Sequence, residues 1–188
     1  MEAGYFVFTS NVDGHFQKAG FPENRVVECH GSINYLQSTQ RHSDIWPVPG
    51  DFVLDVDEET LCARDPLPRG PPNVPEHKRV LARPNILMFG DYGWVSRREE
   101  EQEVRMNTWL KAVWGEKTGI TVIEIGSSPF VPTVRNLGET ISMRHADSVL
   151  VRINPRDSAV RWSKDIRIPM GGLEALQKID ALVDDLKP

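Results

Sequence analysis

Residues 5–35 read YFVFTSNVDGHFQKAGFPENRVVECHGSINY, and this stretch decides the fold. It contains two short apolar runs, 5–8 and 26–27, whose aromatic and β-branched residues favour buried strands over helix. Polar residues follow each run: Asn11 and Asp13 come after the first, and His30 comes after the second. Ligands of open α/β sheets bind in the crevice outside the carboxyl ends of the strands. These three side chains are therefore predicted to lie at the ligand-binding crevice of the sheet.

Length and composition describe an ordinary globular chain. Its 188 residues predict one domain, and the net charge of -5 gives no sign of a nucleic-acid-binding surface. No apolar run approaches the roughly 20 residues of a membrane span. Two cysteines exclude a disulfide framework and favour a cytoplasmic location.

Residues 36–84 differ in composition from the rest. Prolines crowd this region, and because they remove backbone donors and stop helices, it is predicted to be a loop module with short hairpins. One hairpin is expected to pair 52–54 with 60–62 across the acidic turn 55–59. The prolines concerned are Pro47, Pro49, Pro66, Pro68, Pro71, Pro72 and Pro75.

The remaining pattern alternates strands and helices. Buried strands are predicted at 85–89, 120–125, 148–154 and 166–168. Ser96 with Glu99 forms a capping box for a helix that runs to about Trp114. A helix begins near Pro132, and a last one follows Gly171. The inward residues of the helix after Gly171 are predicted to be Leu173, Leu176, Ile179, Leu182, Val183 and Leu186.

The turn after the predicted strand 120–125 suits a phosphate. Gly126 lets the backbone approach a ligand, Ser127 and Ser128 supply hydroxyl donors, and Pro132 can occupy the first turn of a helix. Taken alone, this turn is also an ordinary strand–helix connection. Asn154-Pro155 likewise has an ordinary structural explanation, because Asn-Pro commonly starts a turn.

These segments, in this order, resemble the sirtuin family of NAD-dependent protein deacylases. Asn11 to Gly14 is similar to the family's Asn-Ile-Asp-Gly signature, and His30-Gly31-Ser32 is similar to its catalytic His-Gly pair. Three later segments also match family patterns: 83–91 (RPNILMFGD), 126–132 (GSSPFVP) and 148–154 (SVLVRIN).

The resemblance implies an α/β fold with a Rossmann-like parallel sheet and helices on both faces. It identifies residues 1–188 as a sirtuin-like NAD-binding domain, with 36–84 as a small proline-rich loop module in place of the zinc module. The family's first strand with its Gly-rich turn and its zinc-binding cysteines have no counterparts here. No metal site is predicted, and His42, Cys62 and His77 are interpreted as belonging to a metal-free module.

The implied reaction removes an acyl group from lysine with NAD and releases nicotinamide. His30 would be the general base, Asn11 would orient the ribose or a water, and Asp13 would hold the nicotinamide amide; these three are the predicted catalytic residues. An acylated protein or peptide is the implied partner. The implied cofactor-binding residues are Ser10, Asn11, Asp13, His30, Gly126, Ser127, Ser128, Asn154, Pro155, Gly171 and Gly172. The implied substrate-binding residues are Met88, Phe89, Gly90 and Asp91.

Two alternatives stay open from the sequence. Sirtuin-like domains without zinc cysteines can be NAD glycohydrolases or ADP-ribosyltransferases, in which the same pocket cleaves NAD. The other alternative is a weak or inactive fragment that serves as a binding module. Without the family's first turn, which holds the pyrophosphate, these 188 residues alone are expected to bind NAD weakly or not at all and to have low activity. The sequence predicts neither the acyl group nor the oligomeric state.

Overall fold

A computed structural model describes residues 4–40 and 44–185 of the chain, with the side chains of 184 and 185 left out of that description. The chain divides into two compact units, Met1–Thr108 and Trp109–Pro188, and each is described by itself. Within the described residues, no helix has both the length and the apolar character needed to cross a membrane.

The first unit begins with a parallel strand pair. Strand β1 (Val7–Thr9) pairs with β2 (Val26–Glu28) in the register Val7 with Val26 and Thr9 with Glu28. The short helix α1 (His15–Lys18) and a 3₁₀ turn lie between them. Both strands predicted from the apolar runs are present, but only β2 is buried as expected, whereas β1 is half-buried.

Four further strands of this unit form an antiparallel sheet. They are β3 (Gly31–Ser38), β4 (Ile45–Pro47), β5 (Arg69–Gly70) and β6 (Val80–Ile86), in the order β4-β3-β6-β5. Leu36, Trp46 and Ala82 form a small apolar core on this sheet, with Val48 packed against it. Gly70 lies so close that a Cβ there would come within 2.2 Å of the Trp46 ring.

Two predictions in this region were wrong in their boundaries. The strand expected at 85–89 is instead Val80–Ile86, so residues 87–89 lie outside it. Pro84 is tolerated because β5 pairs only with Val80 and Leu81, and the missing N–H of Pro84 costs no ladder bond there. β3 was not predicted, because its inward residues include the polar Ser32, Gln37 and Ser38.

The hairpin of the proline-rich module exists in a different register. Val56 bridges Ala63, the Asp57 N–H donates to the Cys62 carbonyl, and the Asp57 carboxylate caps the turn. The predicted pairing of 52–54 with 60–62 was therefore wrong by a few residues. Whether 36–84 forms a separate module stays a prediction.

Helix α2 (Arg97–Gly115) matches its predicted extent. Its apolar face holds the buried residues Met106, Leu110 and Val113. The capping partner differs from the predicted one: the Ser96 hydroxyl donates to the Glu100 carboxylate, and Glu99 is not the partner. This contact joins two side chains and caps no backbone N–H, so the predicted capping box was wrong, although the helix starts where expected.

The second unit contains a three-stranded parallel sheet. Its elements are β7 (Thr121–Ile125), α3 (Thr133–Arg144), β8 (Val149–Ile153), β9 (Ile166–Ile168) and α4 (Gly172–Asp185). The strand order is β7-β8-β9, and α3 packs against β7 and β8. This β-α-β arrangement, together with the parallel β1-β2 pair, confirms the predicted α/β class with parallel strands.

Two burial predictions in the second unit were wrong. Ile123 and Ile125 of β7 are about half exposed, although a buried strand was expected. The predicted inward face of α4 is also largely exposed: Leu173, Leu182 and Val183 face solvent, whereas Ala175 is buried. Leu186 lies outside the described residues. Apolar periodicity marks a stripe on a helix but does not say what covers it.

Gly31 is the residue on which the turn from β2 into β3 depends. Its φ is +80°, and a Cβ there would lie 2.0 Å from the Asn85 carbonyl oxygen. We expect Gly31→Ala to lower the free energy of unfolding by at least ~2 kcal/mol, because left-handed strain and backbone overlap add. Chemical denaturation measures this. Gly50→Ala, which meets open space, is the matched control, and an equal loss in both variants would contradict the prediction.

Candidate functional site

The loops that follow β1 and β2 are tied together by backbone hydrogen bonds. The Cys29 N–H donates to the Thr9 carbonyl at 3.0 Å, and the Ile33 N–H donates to the Val12 carbonyl at 2.9 Å. Because β1 and β2 are parallel, their polar carboxyl ends lie at one edge. The structure therefore brings the loop of Asn11 and Asp13 to the same edge as the segment that carries His30.

The first of these loops has a defined shape. The Asn11 N–H donates to Thr9 Oγ1 at 3.1 Å, and Asp13 Oδ1 accepts the His15 N–H at 2.9 Å. Asn11 is exposed, and within the described chain its side-chain amide makes no hydrogen bond. Ser10 is half-buried at the end of β1. The loop thus holds its backbone by itself and leaves the Asn11 amide available to a ligand.

His30 is half-buried between Cys29 and the turn at Gly31. Its carbonyl accepts the Leu87 N–H at 2.9 Å, so the backbone is fixed. Its imidazole makes no hydrogen bond to any described residue. The ring is therefore available for proton transfer, whereas the main chain around it is held.

Cys29, next to His30, is not a candidate nucleophile. Burial, and then the negative charge of Glu99, raises the pKa of its thiol to about 12. Reactive cysteines need a thiolate near neutral pH. Cys29 therefore stays a neutral, buried side chain.

The predicted substrate segment, Met88 to Asp91, is a turn rather than a strand. Met88 and Phe89 are 60% and 93% exposed, and the Asp91 N–H donates to the Met88 carbonyl. Asp91 forms a 2.6 Å ion pair with Arg83. Burial acts to raise the pKa of the Asp91 carboxyl, but hydrogen bonds from Arg83 and the Gly93 N–H outweigh it and hold that pKa below its usual range.

A buried amide pair anchors the far end of this turn. Gln37 donates to the Gly93 carbonyl at 2.8 Å, and its Oε1 accepts from the Val95 N–H and from Asn85 Nδ2. Asn85 Nδ2 also donates to the Val95 carbonyl at 2.9 Å. The exposed apolar side chains of the turn are thus carried on a backbone held at both ends.

Sequence reasoning missed a buried ionic group on β2. Glu28 is 1% exposed, and its Oε2 lies 2.6 Å from Arg98 Nη2 of α2. Its N–H donates to Gln102 Oε1 at 3.0 Å, and Arg98 stacks on the Tyr35 ring at 3.9 Å. The available signal was a glutamate inside the apolar run 26–29. An open cavity of about 470 Å³ lies beside this group, lined by Glu23, Asn24, Tyr35, Arg98, Glu101, Gln102 and Arg105.

In the second unit, the predicted phosphate-binding turn has one free hydroxyl. Gly126 has φ +70° and nothing within 4 Å of the position of a Cβ. The buried Ser127 hydroxyl donates to Glu124. Ser128 is exposed, and its Oγ accepts the Phe130 N–H at 3.1 Å, which leaves its own proton free. Gly171 and Gly172 begin α4, where Gly172 approaches Ile125.

Asn154 organises the loop after β8. Its Nδ2 donates to the Ser127 carbonyl at 3.0 Å, and its Oδ1 accepts the N–H groups of Arg156 and Asp157, both at 2.9 Å. It is 7% exposed, and Pro155 beside it is exposed. The Asn154 side chain therefore joins the two loops of this unit. Contact between Asn154 and a cofactor stays a prediction.

A second buried ionic group, also missed from sequence, lies beneath these loops. Arg152 of β8 faces its register partner Glu124 of β7, with Nε–Oε1 and Nη2–Oε2 distances of 2.6 and 3.0 Å. Nη2 also lies 3.0 Å from Glu139 of α3. Arginine in an otherwise apolar strand, VLVRI, was the only sequence signal.

Glu99 near the start of α2 makes stability depend on pH. Burial, and then Glu103, raises the pKa of Glu99 from 4.5 to about 7. Folding is therefore favoured by its protonated form, and this contribution is complete below about pH 4.5 and lost as pH rises through about 7. With screening at this partly exposed position, we expect Glu99→Gln to stabilise the protein by ~1 kcal/mol at pH 8.

The measurement is urea unfolding at pH 8 and pH 4. At pH 4 the Glu99→Gln variant is expected to match the wild type within ~0.5 kcal/mol. Glu101→Gln, on the exposed side of the same helix, is the control and is expected to change little at either pH. A stabilisation of Glu99→Gln that is equal at both pH values would contradict the assigned pKa.

The described residues contain no group of three His, Cys, Asp or Glu side chains that could hold a metal ion. Cys62 is exposed and so is His77, whereas His42 lies outside the described residues. The metal-free interpretation of the proline-rich region stays a prediction.

The fold and the loops define an α/β protein of the Rossmann-like kind, and several solved structures share its fold. One, from work on the mechanism and regulation of Sir2 enzymes, matches 97% of this chain and 62% of its own, with a TM-score of 0.55 and 22% identity. Another, from work on sirtuin substrate affinity, matches 93% of this chain and 60% of its own, with a TM-score of 0.50 and 19% identity. The fold is therefore sirtuin-like.

One curated relative is similar in sequence. It is described as a probable bifunctional ADP-ribose hydrolase/ADP-ribosyltransferase from Fusarium oxysporum f. sp. cubense. The two are 26% identical over 168 residues, which is 85% of this chain and 27% of that protein. The chain thus spans about a quarter of this relative and less than two thirds of each solved structure. No protein-family model matches it.

Proposed function

We propose that this chain carries the catalytic core of an NAD-dependent protein lysine deacylase of the sirtuin type. The observation that carries the proposal is the edge formed by β1 and β2, where Asn11, Asp13 and His30 follow paired parallel strands. Backbone hydrogen bonds hold both loops, and the Asn11 amide and the His30 imidazole make no bond within the described chain. The sirtuin-like fold supports the same assignment.

Each unit, taken by itself, offers groups that suit a part of a dinucleotide. Asn11 offers an uncommitted amide and Asp13 offers a half-buried carboxylate for the nicotinamide half. In the second unit, Gly126 leaves its backbone open to approach, and the Ser128 hydroxyl can donate to a phosphate. Ser10, Pro155, Gly171 and Gly172 stay as further proposed contacts.

In the proposed reaction, bound NAD supplies the ribose carbon that takes the acyl oxygen as nicotinamide leaves. His30 accepts the proton of a ribose hydroxyl at a ring nitrogen, since imidazole gains and loses protons near neutral pH. Asn11 orients the ribose or a water through its amide. Asp13 holds the nicotinamide carboxamide by accepting its N–H.

An acylated peptide is the proposed partner of the turn at Met88 to Asp91. Exposed Met88 and Phe89 offer apolar contact, while the Arg83–Asp91 pair and the buried Gln37 hold the backbone. The Leu87 N–H bond to the His30 carbonyl puts this turn next to the proposed base. This proximity supports peptide binding beside the catalytic histidine.

The test is calorimetric titration of NAD followed by an assay of nicotinamide release with an acetyl-lysine peptide. We expect micromolar to low-millimolar binding that weakens in Asn11→Ala, and release that requires the acetyl group. An unacylated peptide of the same sequence is the control. Absence of NAD binding in a folded sample would contradict the proposal.

A second candidate is an NAD glycohydrolase or ADP-ribosyltransferase. The description of the curated Fusarium relative favours it, because ADP-ribose is the group that both of its named activities handle. The same His30 edge would then direct water or a protein side chain as the acceptor. Nicotinamide release that proceeds equally without any acylated peptide would support this candidate over the deacylase.

A further inference from the structure

The Arg152 guanidinium connects most of the polar parts of the second unit. It is 1% exposed in the central strand β8, and its Nε and Nη2 form a two-pronged pair with Glu124. Nη2 also reaches Glu139 of α3, and Nη1 donates to the Ala159 carbonyl at 2.6 Å. Each guanidinium nitrogen thus has an acceptor.

Two of these acceptors, Glu124 and the Ala159 carbonyl, connect Arg152 to the two loops at the carboxyl ends of β7 and β8. Glu124 accepts the Ser127 hydroxyl, and the Ser127 carbonyl accepts from Asn154, which shapes the start of the next loop. Ala159 lies at the far end of that loop, where Arg152 holds its carbonyl. Loop 126–128 and loop 154–159 therefore share one buried support.

Helix α3 packs closely against the Arg152–Glu124 pair. A Cβ at Gly138 of α3 would lie 3.2 Å from Glu124 Oε2, tighter than most Cβ contacts, so the carboxylate would have to shift slightly. Gly138 is buried, so α3 comes near enough for Glu139 to reach Arg152. The carboxylate of Glu124 is thereby confined to the orientation in which it accepts both Arg152 and Ser127.

Stability alone does not account for such a pair. Desolvating two charges is expensive, and apolar residues of similar volume often replace a buried pair without loss of stability. What an apolar replacement cannot do is hold the Ser127 hydroxyl and the Ala159 carbonyl in fixed directions. The planar, multiply bonded guanidinium does so, and lysine would not.

We propose that Arg152, acting through Glu124, is a positioning residue that sets loops 126–128 and 154–159 for binding the phosphate portion of NAD. The proposal rests on the proposed function for the identity of the ligand. The ordering of the two loops is a property of the chain itself and can be measured without ligand.

The test compares the double variant Glu124→Leu/Arg152→Met with the wild type by hydrogen exchange and NAD titration. We expect cooperative unfolding to persist, amide exchange at Arg156 and Asp157 to rise about tenfold, and the NAD Kd to rise about tenfold. Val149→Ala, which truncates a half-buried side chain of the same strand at the end away from the loops, is the matched control and should change neither readout.

Unchanged exchange and an unchanged Kd in the folded double variant would overturn the proposal, as would equal changes in Val149→Ala. If the double variant does not fold, Arg152→Lys replaces it, with a smaller rise in exchange, about threefold, expected. Faster loop exchange in a protein whose wild type binds no NAD would support the positioning role and contradict the proposed function.

Discussion

Replacing His30 with alanine is expected to lower peptide-dependent nicotinamide release by at least ~100-fold, because a general base contributes that much or more. The NAD Kd should change by less than about threefold, since the imidazole would act in proton transfer more than in holding the ligand. The fold should persist, because the His30 contact to Leu87 uses its backbone carbonyl, which alanine retains.

Two further variants separate the roles of the ring. His30→Gln keeps hydrogen-bonding groups without a basic nitrogen, so it should lose activity as severely as His30→Ala. His77→Ala removes an exposed histidine of the same unit and should retain full activity. Steady-state release assays with thermal unfolding as a fold check measure all three. Activity of His30→Ala near that of His77→Ala would remove His30 from the mechanism.

Replacing Arg98 with methionine is expected to destabilise the protein by roughly 3–5 kcal/mol, because it leaves a buried carboxylate without its cation. Glu28 is 1% exposed, and Arg98 Nη2 at 2.6 Å is its nearest charged partner. Among the residues that the structure describes, Glu28 Oε1 has no hydrogen-bond partner even in the wild type, so little else there offsets the charge. The loss also removes the cation stacked on Tyr35.

The double variant Glu28→Gln/Arg98→Met should recover most of this loss, since the buried charge is gone and Gln102 remains as a hydrogen-bonding neighbour. Arg105→Met, at an exposed arginine that lines the same cavity, is the matched control and should stay within ~0.5 kcal/mol of the wild type. Urea unfolding measures the set. Equal stability of Arg98→Met and Arg105→Met would mean that Glu28 does not depend on Arg98.

Features encoded by neighbouring residues were predictable. The β1 and β2 strands, the turn at Gly126 and the helix after Pro132 follow from short patterns of apolar residues, glycine and proline. The placement of Asn11, Asp13 and His30 at one edge follows as well, because the carboxyl ends of parallel strands meet at one edge.

Features that depend on distant partners were not predictable. β3 buries Gln37, whose bonding partners Asn85, Gly93 and Val95 lie some fifty residues away in the sequence. Apolar periodicity does not register such a strand, because most of its buried residues are small or polar rather than apolar.

The two buried ion pairs were missed for a related reason. Glu28 and Arg152 each interrupt an apolar run. From the sequence alone, a charged residue at such a position indicates the end of a buried strand, because its ion-pair partner is not known. Their partners Arg98 and Glu124 come from α2 and β7. Long-range pairing of this kind is set by the fold, and no local pattern encodes it.

The two cysteines make the chain ready for single-site labelling without mutagenesis. Cys62 is exposed in the hairpin bridged at Val56 and Ala63, whereas Cys29 is buried with a thiol pKa of about 12. A maleimide dye at pH 7 is expected to attach once to the native protein and twice in denaturant, as mass spectrometry would count. The proline-rich hairpin thus offers an attachment point for a fluorophore or a surface tether, away in sequence from both loops that carry Asn11 and His30.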